Sequence, residues 1–140
     1  VTEAALAVLA GMVLHEAAHA FIAEVYGDAT PRLCGRLTLN PLPHLHPVGS
    51  IALPALTLWL VGFPFGYMRA LPLDRSAYTR AQFAGCLLAG PAANLALALA
   101  LYVGGFYLGA SVNIALSVFN LVPIGTTDGA QLLKLWRTKR

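Results

Sequence analysis

The chain has 140 residues, of which 58% are hydrophobic and 11% charged, with a formal net charge of +3 and a mean hydropathy of +0.69. Soluble domains carry about 45–50% apolar and about 25% charged residues, so this chain has too little charge to cover a globular surface and cannot be a water-soluble enzyme. It reads as one membrane-embedded domain over residues 1–140, multi-pass, with the lipid bilayer as a partner, and it lacks the aromatic–basic interleaving that nucleic acid would require.

No Asp, Glu, Lys or Arg falls between Arg36 and Arg69 or between Arg80 and Asp128. Four apolar segments are predicted. The first spans Thr2 to Tyr26 and stops at Gly27-Asp28. A short strand or hairpin over Leu33–Leu39 should follow, because Leu33, Leu37 and Leu39 flank Thr38 and the prolines Pro41, Pro43 and Pro47 forbid a helix. The second segment runs from Val48 to Phe65, interrupted by Pro54 and Pro64, the third from Ala81 to Leu108, and the fourth from Ser111 to Val122. Pro123 and Gly125 break the fourth before Asp128, and a last helix covers Gly129 to Trp136. The expected fold is thus an all-α membrane bundle of about four hydrophobic segments with a membrane-associated strand after the first. Four crossings would put the loop with Arg69, Arg75 and Arg80 on the same side as the C-terminus, the cytoplasmic side. The chain starts at Val1, as a processed chain or a fragment does, and Glu3 without a basic start argues against a cleaved signal peptide. Cys34 and Cys86 are isolated and read as small membrane-core residues.

The first segment contains "VLHEAAHAF". On a helix His15 and His19 lie one above the other on one face and can share a tetrahedral zinc ion, one per chain. Glu16 is turned by about 100° from the first ligand and can act as general base without binding the metal. An unpaired carboxylate at the centre of a membrane helix costs roughly 2.5–3.5 kcal/mol, which disfavours two satisfied core histidines with a chance glutamate. Zinc hydrolases keep three protein ligands and one open position, and Asp128, alone after a long uncharged interval, is the candidate third ligand. Its alternative is the N-cap of the last helix. Asn113, Ser117 and Asn120 form one polar stripe, either bonding neighbouring helices or lining water and substrate. Asn120, nearest Asp128, is the candidate oxyanion donor. Asn94 is a lone amide in the third segment, suited to a helix-packing bond. Ala7 and Gly11, on nearly the face of His15, would admit a neighbouring helix closely.

"HEAAH", "GRLTLNPLPHLHP", "AGPAANLALA" and "FNLVPIGTTDG", in this order, resemble the site-2 protease family of intramembrane zinc metalloproteases. The resemblance covers nearly the whole chain. It implies His15, His19 and Asp128 as zinc ligands, Glu16 as base and Asn120 as the asparagine upstream of the Asp-Gly ligand. Gly90, Pro91 and Asn94 match the family's Gly-Pro-x-x-Asn element, and Asn94 joins Leu37, Thr38 and Leu39 as candidate substrate-binding residues. Family members cleave transmembrane segments of other proteins, so transmembrane protein substrates and a prokaryotic cell membrane are expected. His46 stands where the family often has Asp, giving a His44-x-His46 pair that could hold a second metal or serve only the loop. "PIGTTDG" lacks the Pro-Leu that often precedes the Asp-Gly.

The expected mechanism is hydrolysis: zinc activates water, Glu16 takes its proton and returns it to the leaving amine, and Asn120 helps to carry the oxyanion. A substrate helix must unwind, and strand addition along Leu33–Leu39 would hold it extended. The rival readings are a catalytically silent zinc-binding scaffold, which would not need Glu16, and a metal transporter, which would show ionisable groups along a path rather than at one point.

Overall fold

The computed structural model describes residues 2–62 and 66–138, and these are helical with irregular connections and no strand among them. Helix α1 (Thr2–Val25) stops where expected, at Gly27 with φ 91°. One helical turn, α2 (Thr30–Leu33), follows, then a loop with a tight turn over Leu42–His44, and a wide helical turn over Pro47–Ala52 that leads into α3 (Leu53–Val61), which ends at the left-handed Gly62. The long α4 (Arg80–Val103) and α5 (Tyr107–Leu121) are joined at Gly104-Gly105, and α6 (Asp128–Arg137) completes the chain. Helices α1, α4 and α5 pack on one another, and α6 rests against α4 and α5.

Among the described residues two of the predicted segments form helices long and apolar enough to cross a membrane, Glu3–Val25 and Arg80–Val103, so the expected bundle of four such segments is not supported. The third predicted segment is cut at Gly104-Gly105, where Gly105 has φ 82°. The fourth becomes α5, which at 15 residues and about 1.5 Å per residue falls short of a hydrocarbon core of about 30 Å. The second gives only the apolar helix Pro47–Leu60. Its expected end at Pro64 and Phe65 lies outside the described residues, as do the tail residues Lys139 and Arg140.

The strand over Leu33–Leu39 is also absent, for a local reason. The amide of Asn40 donates to Thr38 Oγ1 at 3.1 Å and the amide of Leu42 to Asn40 Oδ1 at 3.0 Å. His44 Nε2 donates to the Thr38 carbonyl at 3.0 Å. The amides of Leu33, Cys34, Gly35 and Arg36 are taken by the carbonyls of Ala29, Thr30, Arg32 and Pro31, so the first half of the stretch closes the turn of α2, and the side-chain bonds just beyond it continue the turn, as Ser, Thr and Asn do. The buried Arg36 guanidinium donates to the carbonyls of Pro43, Arg69 and Ala70 and ties this loop to the segment before α4. The expected strand edge for substrate is therefore not formed in this structure.

A second tie fixes the end of α1. Asp28, buried, accepts from the Thr30 amide at 2.9 Å, the Asp74 amide at 2.9 Å and Tyr78 Oη at 2.7 Å. Burial pushes its carboxyl upward, but the bonds from Thr30, Tyr78 and Asp74 outweigh this and hold it below the usual carboxylate range. The same contact joins α1 to the cluster of Ala23, Tyr78, Phe83, Cys86 and Leu87, against which Leu132 and Leu135 of α6 pack. Helix α4 starts with a reciprocal cap: Gln82 donates its amide to Thr79 Oγ1 at 3.2 Å, and Thr79 donates its own to Gln82 Oε1 at 2.9 Å.

The bundle is inverted relative to a soluble one. Leu99, Ile114 and Val118 are 65%, 49% and 57% exposed, whereas Asn94, Asn113 and Ser117 are each 1% exposed or less. Apolar residues outside and amides inside is the arrangement of a membrane protein, in which lipid replaces water and polar side chains bond helix to helix. Ala7 and Gly11 admit α5 as their spacing suggests: a Cβ on Gly11 would lie 2.1 Å from Asn113 Oδ1.

Candidate metal centre

Three side chains from two helices meet at one point. Helix α1 supplies His15 and His19, one turn apart, and α6 supplies Asp128 from its first residue. The two Nε2 atoms lie 3.0 Å apart, and Asp128 Oδ2 lies 3.1 Å from that of His15 and 3.4 Å from that of His19. All three residues are buried. Tetrahedral zinc with bonds of about 2.0–2.1 Å separates its ligand atoms by about 3.3 Å, so the triangle is of the right size.

The bonds behind the two rings suit them to hold a metal. His19 Nδ1 lies 2.7 Å from the Cys86 carbonyl, which can only accept, so Nδ1 carries a proton and, in the neutral ring, Nε2 is the nitrogen left to bind a metal. Asn94 Nδ2 donates to the Gly11 carbonyl at 3.0 Å and to Asn113 Oδ1 at 3.1 Å. This turns Asn94 Oδ1 toward His15 Nδ1, which donates to it at 2.7 Å. Asn113 is oriented in turn by donating to the carbonyls of Ala7 at 3.2 Å and Gly109 at 3.0 Å. Both imidazoles thus turn Nε2 toward the buried Asp128 Oδ2, which meets no polar group besides these two ring nitrogens among the described residues. With both rings neutral, three lone-pair donors face one point, and a cation there would bind all of them. The residues fit a zinc ion.

Asp128 is free to serve because it is not the cap of its helix. Thr127 takes that role, accepting the Ala130 amide at 3.2 Å and donating to the Val122 carbonyl at 2.6 Å. Gly129 lets the first turn of α6 pass the end of α5, since a Cβ there would sit 2.0 Å from the Leu121 carbonyl oxygen. Gly90 performs the corresponding service on α4, where a Cβ would lie 2.3 Å from His19 Nε2 and 2.6 Å from His15 Nε2.

A cavity of about 940 Å³ opens beside the three ligands. Glu16, half-buried, lines it with Asn120, Thr126 and Thr127, and no donor among the described residues is bonded to the Glu16 carboxylate. Asn120 Nδ2 donates to the Leu116 carbonyl of its own helix at 3.0 Å. The site thus gathers His15, Glu16, His19, Asn120 and Asp128, with Asn94 behind His15 and 1% exposed. Leu37, Thr38 and Leu39 line no part of this cavity; Leu39 borders a separate apolar depression with Leu6 and Leu9. His46 Nδ1 accepts the Gly49 amide at 3.1 Å, and His44 is turned to Thr38. Among the described residues the two form no metal-binding group.

Missing from the sequence reading were the Cys86 carbonyl, the steric need for Gly90 and the Tyr67–Leu71 wall of the cavity. A backbone acceptor leaves no trace in residue types, and Gly90 stood out only as part of a motif.

The role of Asn94 is testable. Asn94→Leu leaves His15 Nδ1 without an acceptor and Asn113 Oδ1 without a donor. Chelator-competition titration should show zinc affinity lowered about 10–100-fold, as for other groups that orient a ligating histidine. The apo protein should also melt earlier, since each orphaned buried group costs about 1–3 kcal/mol. Unchanged zinc affinity would mean that His15 does not need this bond.

Two imidazoles one helical turn apart, a carboxylate from a distant element and a glutamate on an adjoining cavity make the donor set of a zinc hydrolase. The chain is similar along most of its length to curated bacterial proteins. It is 34% identical over 152 aligned positions to YwhC of Bacillus subtilis, covering 92% of this chain and 66% of that one. It is 37% identical over 137 positions to Rip2 of Mycolicibacterium smegmatis, covering 86% of this chain and 52% of that one, and 34% identical over 143 positions to Rip2 of Mycobacterium tuberculosis, covering 90% and 54%. Each is named a "Putative zinc metalloprotease". No family model matches, and no solved structure does. The chain spans from about half to two thirds of the length of these relatives. It belongs to the site-2 protease family.

Proposed function

We propose that the chain is a zinc endopeptidase of a bacterial cell membrane that cleaves peptide bonds within or beside transmembrane segments of other membrane proteins. The observation that carries this reading is the convergence of His15, His19 and Asp128 beside Glu16, at the edge of a wide cavity in an inverted helical bundle. Helices α1 and α4 are read as crossing the bilayer, with α5 and α6 closing the site. His19 stands six residues before Val25, the end of α1. At about 1.5 Å per residue the ligands lie about 9 Å inside that end, within reach of an unwound substrate helix. Arg75, Arg80 and Lys134 gather at this end, which supports reading it as the cytoplasmic one.

When bound, zinc supplies Lewis acidity to water and to a peptide carbonyl at the same point. Glu16 takes the proton from the attacking water and delivers it to the leaving amine. Asn120 turns its amide from the Leu116 carbonyl toward the developing oxyanion. Asn94 and the Cys86 carbonyl hold the two imidazoles in the Nδ1–H tautomer throughout.

The test is cleavage of a panel of transmembrane peptides by purified protein, read by mass spectrometry. Cleavage should stop when a chelator removes the metal and return with stoichiometric zinc. Cleavage that persists in the zinc-free protein would remove the reading.

A further inference from the structure

The cavity beside the metal centre has walls of opposite charge. Glu16 and Asp128 lie at its inner end, while Arg75, Arg80 and Lys134 line its outer part. Each cation is held or placed there by a separate device. Arg75 lies over the Phe83 ring, 4.5 Å from its centroid, and donates to the Tyr78 carbonyl at 3.0 Å. Arg80 donates to the Thr138 carbonyl at 2.9 Å and to the Leu135 carbonyl, which fixes it across the C-terminal end of α6. Lys134 projects from α6 one turn before. None of the three is paired with a carboxylate among the described residues, where ion pairs join only His15 and His19 to Asp128 and Arg32 to Glu24.

The chain has six acidic residues, and the others are placed elsewhere. Glu3 accepts the Gly109 amide, Glu24 pairs with Arg32, Asp28 holds Tyr78, and Asp74 accepts from Ser76. The guanidinium donors beyond those used on carbonyls, and the Lys134 ammonium, therefore face a cavity that contains no anion of the chain on that side. Charge placed only for membrane orientation would have no reason to share a cavity with the metal ligands.

We infer that this rim of Arg75, Arg80 and Lys134 receives an acidic side chain of the substrate, so that the enzyme selects membrane segments with an Asp or Glu in the cytoplasmic flank. The inference rests on the protease reading. It also sets a distance. Lys134 is six residues along α6 from Asp128, and the carbonyls that hold Arg80 belong to Leu135 and Thr138. These positions lie about 9–15 Å from the ligand along the helix. An extended chain covers that in about three to five residues, so the acidic residue belongs about three to five residues from the scissile bond.

The probe is a Leu/Ala-rich transmembrane peptide with a single Asp, Asn or Lys at a flank position moved stepwise along it. Binding is measured by fluorescence anisotropy on zinc-loaded Glu16→Gln protein in phosphatidylcholine nanodiscs, so that the result does not depend on turnover. The Asp peptide should bind about threefold to tenfold more tightly than the Asn peptide, as expected of partly exposed ion pairs. The Lys peptide should bind more weakly than either, and the differences should shrink as salt is raised. Lys134→Glu, at an exposed position, lowers the rim from three positive charges to a net one and should narrow the gap between the Asp and Lys peptides. Equal affinities, or a gap between the Asp and Lys peptides that Lys134→Glu leaves untouched, would overturn the inference. So would peptide-blind binding together with a Lys134-dependent preference for phosphatidylglycerol, which would assign the rim to lipid headgroups. Cleavage of the Asn peptide by wild type reports separately on the protease reading: its absence, with charge-ordered binding intact, would count against catalysis and not against the rim.

Discussion

Replacing Gly90 with alanine should empty the metal centre. The added Cβ would lie 2.3 Å from His19 Nε2 and 2.6 Å from both Cε1 and Nε2 of His15, so the ring edges that carry the ligand atoms would have to move by about 1 Å. Neither ring can move alone. Cys86, Gly90 and Asn94 follow one another at four-residue spacing on α4 and present an acceptor, a gap and an acceptor along one face. His19 and His15 fill this pattern from the antiparallel α1, each donating from Nδ1 at 2.7 Å. Backing α4 away to make room for the Cβ stretches both bonds; keeping the bonds drives the Cβ into the ligand edges. Zinc affinity should fall by more than about 100-fold, beyond the usual effect of losing one orienting bond, and cleavage should fall with it. Helical circular dichroism should persist, because α4 gains a better helix former. Zinc content near one per chain for the variant at a chelator concentration that leaves wild type loaded would show that the α1–α4 approach is looser than the structure has it.

The same face explains how much of the site was open to sequence reading. His15, Glu16 and His19 are local, since helical spacing alone stacks the two imidazoles and turns the carboxylate aside. Asp128 was legible by contrast, as the one acid after 47 uncharged residues, 81–127. Asn94 was visible as a polar residue in an apolar helix, but not its partner, because the antiparallel register of α1 on α4 appears in neither segment alone. The crossing segments were misjudged because hydropathy counts apolar residues and overlooks where the backbone turns. Gly62 and Gly105, both at positive φ, end helices inside stretches that remain apolar throughout. Leu37-Thr38-Leu39 alternates as a strand would, yet the Thr38 and Asn40 side chains take the backbone amides nearby, and turn chemistry prevails over alternation.

Glu16→Gln should separate metal binding from chemistry. Glu16 is not among the atoms that converge on the metal; it is turned by about 100° from His15 around α1 and looks into the cavity. Glutamine keeps its size and leaves the His15, His19 and Asp128 triangle intact, so zinc should remain at about one per chain. What the amide lacks is the ability to take a proton from water and return it to the leaving amine, a loss of about 10²–10⁴-fold in rate for a positioned acid–base group. Zinc assay and cleavage rate on the same preparation, beside Asp128→Asn as the variant expected to lose metal, make the comparison. Full zinc with a rate lowered by that factor assigns Glu16 to proton transfer. An undiminished rate would move the base to another group on the cavity wall, and none of the other acidic residues lines that wall except the ligand Asp128. Zinc in wild type and variant alike with no cleavage by either would instead describe a membrane scaffold that keeps the metal for its fold. Such a scaffold would have no physical use for an unpaired carboxylate at Glu16, and that residue is therefore where the two readings part.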